Sequence, residues 1–175
     1  MLKKTAALLL TAASPLLLSG CGPRAVTLSP AADAANPVCA YAMVAMPETV
    51  SGFAQRETTA QATTAWGEPT AIVLKCGVEL PTTPVSDPCA SVNGIDWIIK
   101  PADQSLADAN EESATGTWVA ETFGRTPAVQ VTFNAETVSS STLLAELASA
   151  VGQIPQQTQC TNVDDTLTDV KPANS

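Results

Sequence analysis

The chain is predicted to fold as an α+β domain, a small antiparallel sheet of about four strands with an N-terminal and a C-terminal helix packed on one face. Three observations lead there. Apolar residues alternate at Ile95, Trp97 and Ile99 and again at Val129, Val131 and Phe133, the period of strands with one buried face. Leu143, Leu144, Leu147 and Val151 recur at helical spacing, as do Cys39, Met43 and Met46 nearer the front. The resulting order is helix, strands, helix.

The elements follow in chain order. Lys3 and Lys4 precede an apolar run from Thr5 to Leu18, and the small residues Ser19 and Gly20 lead to Cys21. This is the tripartite form of a secretory signal ending in a bacterial lipobox, Leu18-Ser19-Gly20-Cys21. The run is shorter than the roughly 20 residues a bilayer span needs, and Pro15 interrupts it. Residues 1–20 are therefore expected to be removed as a signal peptide, and Cys21 to carry the lipid anchor. A single acyl chain binds a membrane only marginally and two bind it stably, so the membrane is an expected partner through the lipid on Cys21. Residues 21–36, rich in Ala, Pro, Ser and Gly, read as a flexible linker.

A single α+β domain is expected over 37–160. Asn36-Pro37 has the form of an N-cap followed by proline at the first helical position, and Pro47 stops that helix. From Ser51 to Gly67 the pattern predicts no element. Thr70 to Cys76 contains Ile72-Val73-Leu74 and reads as a buried strand. Residues 78–90 are proline-rich and read as loop. Ser91 to Lys100 reads as a strand, with Asn93-Gly94 a tight turn or bulge at its start. An acidic loop over 101–116 precedes two paired strands, Thr117–Phe123 and Pro127–Phe133, joined through Gly124-Arg125-Thr126. The last helix carries the leucines, with Ser139, Ser140 or Ser141 as cap and Gly152 as terminator. Residues 161–175 read as an acidic, disordered tail.

The net charge is −9, and −11 once Lys3 and Lys4 leave with the signal. Such a surface repels nucleic acid, which is not an expected partner. Of five cysteines, Cys21 is committed to lipid, leaving Cys39, Cys76, Cys89 and Cys160 in an oxidising compartment where two disulfides are the default. Spacing does not choose among the three connectivities; the pairing taken as the expectation is Cys39–Cys76 with Cys89–Cys160. Zinc would need clustered ligands, and histidine is absent, so no metal and no cofactor are expected.

The same absence of histidine excludes a Ser-His-Asp triad and a Cys-His pair, and no Ser-x-x-Lys, G-x-S-x-G or Gly-rich phosphate loop occurs. No catalytic residue is assigned. Carboxylates remain, because a glycosidase needs only two across a cleft. Asp96 and Glu121 are the pair to inspect, against the plainer reading that they lie on a solvated strand face or pair with a base. Asp108, Asn110, Glu111 and Glu112 lack the glycine and the terminal glutamate of an EF-hand and read as a solvated loop. Arg125 could take an anion, though pairing with Asp96 or capping carbonyls is the plainer role. Trp66 and Trp97 read as core rather than as a sugar-stacking platform.

Four short motifs then occur in order: Trp66-Gly67-Glu68-Pro69, Leu74-Lys75-Cys76-Gly77-Val78, Val92-Asn93-Gly94-Ile95-Asp96-Trp97 and Gly124-Arg125-Thr126-Pro127-Ala128-Val129. The series resembles the actinobacterial envelope proteins grouped as domain of unknown function thirty-five fifteen, over about residues 38–152. Methionine stands before Pro47 where that family usually has leucine. The resemblance implies a secreted or lipid-anchored single domain from a high-GC Gram-positive host. It carries no assigned activity, so no catalytic residue can be transferred. The expectation is a lipoprotein on the outer face of the cytoplasmic membrane, a non-enzymatic interaction or accessory module with an envelope protein as partner. Its rival is a small glycan- or ligand-binding lipoprotein, hydrolytic through Asp96 and Glu121, which needs a concave pocket and an exposed Trp97.

Overall fold

Residues 24–79, 89–103 and 116–160 are described by the structure, a computed structural model. Residues 1–23 with Cys21, residues 161–175, and Asp108, Asn110, Glu111 and Glu112 lie outside them. Among the described residues two helices, α1 (Pro37–Val44) and α2 (Ser140–Val151), bracket eight strands. These are β1 (Thr49–Val50), β2 (Phe53–Arg56), β3 (Thr63–Trp66), β4 (Ile72–Val78), β5 (Cys89–Val92), β6 (Ile95–Pro101), β7 (Thr117–Thr122) and β8 (Ala128–Asn134). They form one sheet in the order β1-β2-β3-β4-β8-β7-β6-β5, every neighbour antiparallel.

The expected four-stranded sheet flanked by helices is thus corrected: the domain is mostly an eight-stranded sheet with two short helices. The missed strands have physical reasons for their silence. All four residues of β3 are buried, so no alternation marks it. β2 sits toward one end of the sheet with Ala54 and Gln55 exposed, and β1 is only two residues long. The predicted strand 91–100 is two strands, because Asn93 and Gly94 both take positive φ (50° and 78°), the geometry of a tight hairpin turn.

Register places the core. Ile72, Leu74 and Cys76 pair with Phe133, Val131 and Val129, and Trp118, Ala120, Trp97 and Ile95 continue the same face. α2 buries Leu143, Leu144, Leu147 and Val151 in this cluster, and α1 adds Cys39 and Ala42. Asn36 caps α1 as its sequence suggests, its Oδ1 accepting from the Val38 amide at 3.0 Å. The other face carries Val73, Lys75, Ile98, Lys100, Val119, Glu121 and Gln130, none of which belongs to the core cluster under the helices.

The composition of 21–36 predicts a tether, yet from Arg24 onward the chain is laid along the sheet. Val26 N donates to Glu57 O (2.8 Å), Thr59 N to Val26 O (3.0 Å) and Asp33 N to Gly77 O (2.9 Å). Arg56 Nη2 also holds the Arg24 carbonyl at 2.8 Å. The first three are main-chain bonds, which side-chain composition cannot report.

Among the described residues there are two disulfides, Cys39–Cys76 joining α1 to β4 and Cys89–Cys160 joining β5 to the segment after α2. Their Cα atoms stand 5.7 and 6.1 Å apart, within the usual range. In the chain-entropy model the first closes a loop worth about 4 kcal/mol. Alkylation of the non-reduced protein, read by mass spectrometry, should leave Cys39, Cys76, Cys89 and Cys160 unlabelled; substantial labelling of any of them would contradict the pairing.

Candidate functional site

Asp96 and Glu121, singled out from the sequence, lie on the sheet face away from the helices, on β6 and β7, and Arg125 lies at the turn after β7. Alternation along β6 sends Trp97 into the core and Asp96 to the opposite face, and register sets Glu121 beside Ile98. Asp96 and Glu121 are therefore diagonal neighbours on one face, flanking Ile98. Each already has partners. Glu121 accepts from Lys100 Nζ and from Gln130 Nε2, both at 2.8 Å, using one oxygen for each. Asp96 Oδ2 accepts from Gln156 Nε2 and from the Cys160 amide, both at 2.9 Å.

Arg125, buried at the turn after β7, joins the partners of Asp96 through Gln156. Its guanidinium donates to the carbonyls of Ile154 and Gly94 and to Gln156 Oε1. Burial lowers its pKa from the ordinary guanidinium value, and the charge of Asp96 partly restores it. Gln156 thus bridges Arg125 and Asp96. Together with Cys89–Cys160 they clasp residues 153–160 as a strap across the sheet end. Close approach requires Gly124, whose φ is 69°: a Cβ there would overlap Thr158.

The chemistry of the group follows from these bonds. A hydrolytic pair must flank a cleft that admits a sugar and a water. A cleft of about 620 Å³ lies between Asp33, Val78, Glu79, Arg125, Thr126 and Pro127, and one of about 270 Å³ beside Met43, Gln55 and Arg56. Neither is lined by Asp96 or Glu121. Trp66 and Trp97 are both fully buried, Trp66 Nε1 donating to Pro47 O at 3.0 Å, and neither offers a stacking surface. Asp96 and Glu121 are brought onto one face, Arg125 is tied to Asp96 through Gln156 at the end of the sheet, and the bonds of all three are made within the protein. Lys100 and Gln130, which hold Glu121, and Gln156, which joins Arg125 to Asp96, carry no mark in the sequence. Gln156 lies 60 positions from its acceptor, and no local pattern marks such a pair.

Among the described residues there is no cluster of three or more His, Cys, Asp or Glu able to hold a metal ion, and no helix long and apolar enough to cross a membrane. The two disulfides are compatible with an extracytoplasmic location.

No curated protein and no solved structure matches the chain. A family model does, over residues 4–159, a span that takes in the docked segment 24–36, the whole sheet, both helices and nearly all of the strap. The chain belongs to the family described as Protein of unknown function (DUF3515).

Proposed function

We propose that this protein is a lipoprotein of the outer face of the cytoplasmic membrane, a non-enzymatic module that acts by binding another envelope protein. The observation that carries the reading is the sequence Leu18-Ser19-Gly20-Cys21 at the end of a short apolar run with Lys3 and Lys4 before it. Disulfide pairing of the four other cysteines supports the same compartment, since such bonds persist where thiols are oxidised. The engagement of Asp96, Glu121 and Arg125 in structural bonds supports the non-enzymatic part.

Cys21→Ala tests the anchor. The variant should leave the membrane fraction or accumulate as an uncleaved precursor, whereas the parent partitions into the detergent phase. Unchanged lipidation and membrane association of the variant would overturn the assignment. Cross-linking in intact cells, followed by identification of what is captured, tests the binding role; recovery of no partner counts against it.

A further inference from the structure

α1 departs from the rule that a surface helix turns a polar face to water. Its buried positions are Cys39 and Ala42, with Met46 just beyond its end. On the opposite side Pro37, Ala40, Tyr41, Val44 and Ala45 are exposed, an apolar stripe at the spacing i, i+3, i+4, i+7, i+8. Tyr41 is 67 % and Val44 88 % exposed. No charged residue occurs between Asp33 and Glu48, in a chain of net charge −9. α2 provides an internal comparison, since its exposed positions Ser141, Thr142, Glu146 and Ser149 are all polar.

The path of the chain says what faces this stripe. Arg24 is fixed by Arg56, whose Nη1 also donates to Gly67 O and Thr70 Oγ1 at the turn between β3 and β4. α1 runs toward that same end of the sheet. It starts beside Cys76 and Gly77, at the far end of β4, and its exit at Pro47 is bonded by Trp66, the residue before Gly67. Only three peptide links separate Cys21 from Arg24, a reach of roughly 11 Å at full extension. A lipid on Cys21 therefore holds the bilayer surface close to the end of the sheet where Val44 emerges.

We propose that the outward stripe of α1 (Pro37, Ala40, Tyr41, Val44 and Ala45) rests on the lipid surface and sets the orientation of the domain. This rests on the anchoring of Cys21 proposed above. The contact is apolar, because the acidic chain has no affinity for anionic headgroups. A few apolar side chains would not bind a bilayer alone; a tether this short supplies the effective concentration that makes the contact persist.

A tryptophan at position 41 tests the placement. Trp66, Trp97 and Trp118 are buried, at 5 % exposure or less, so an added surface indole is read against a shielded background. The full chain carrying Tyr41→Trp, lipidated in a bacterial host and purified from its membranes, is reconstituted into phosphatidylcholine vesicles with and without brominated acyl chains. The added indole should lose about half its emission or more in the brominated vesicles, and Val44→Glu in the same background should abolish that loss while the protein still floats with the vesicles. Flotation without quenching would overturn the placement and leave the anchor standing. Failure to float would overturn the anchor and the placement with it. A blue-shifted indole that lipid does not quench, and whose shift grows with protein density, would assign the stripe to a second copy of the chain and overturn the lipid contact.

Discussion

Gly77→Ala should destabilise the domain by about 3 kcal/mol or more, seen as a lower denaturant midpoint with unchanged slope. Gly77 sits at φ 90°, at the irregularity between Cys76 and Val78 where β4 meets β8. The conformation alone costs an L-residue roughly 1–2 kcal/mol. A Cβ would in addition overlap the backbone of Asp33 and lie 2.6 Å from the Ala34 nitrogen. These are main-chain atoms, so no side-chain rotation relieves the overlap. The bond from Asp33 N to Gly77 O must lengthen, and with it moves the turn that leads to Asn36 and the start of α1. Gly52→Ala is the control, since Gly52 has φ 80° and open space around it, leaving only the conformational cost. Equal losses at the two positions would contradict the docking of residues 24–36.

Arg125→Met should cost about 3 kcal/mol, with the loss of amide-exchange protection concentrated in residues 153–160. Methionine keeps much of the apolar stem but donates nothing. The Ile154 carbonyl then loses a donor in a buried setting, the Gln156 side chain loses one of its three hydrogen-bond partners, and Asp96 loses a nearby positive charge. Cys89–Cys160 should persist, so the strap loosens between two fixed points rather than departing. Arg125→Lys should not restore stability, because one ammonium cannot replace a planar fork reaching Ile154, Gly94 and Gln156. A loss below about 0.5 kcal/mol would show that the strap is held by the disulfide and packing alone.

Legibility followed burial. β8 and α2 were readable because each buries one face, which leaves a period in the sequence. α1 was readable from its Asn36 cap and Pro37 start. β3 was not, because Thr63, Thr64, Ala65 and Trp66 are buried on both faces and include two threonines that look solvated. The hairpin of β5 and β6 was half readable: Asn93-Gly94 signalled a turn, but Cys89–Val92 before it has no apolar alternation of its own.

At the candidate site, the alternation of residues 95–99 is enough to put Asp96 and Trp97 on opposite faces of β6, because strand pleating is local. That Asp96 is then tied to Gln156 and Cys160, 60 and 64 positions away, depends on where the strap returns. Charge, the cysteine inventory, the absence of histidine chemistry and the elements whose periodicity comes from one-sided burial are all written in the sequence. The eight strands of the sheet, the lie of residues 24–36 along it and the outward apolar side chains of α1 emerge with the folded chain. Those features are made by main-chain bonds and by contacts between distant segments, and neither leaves a local period in the chain.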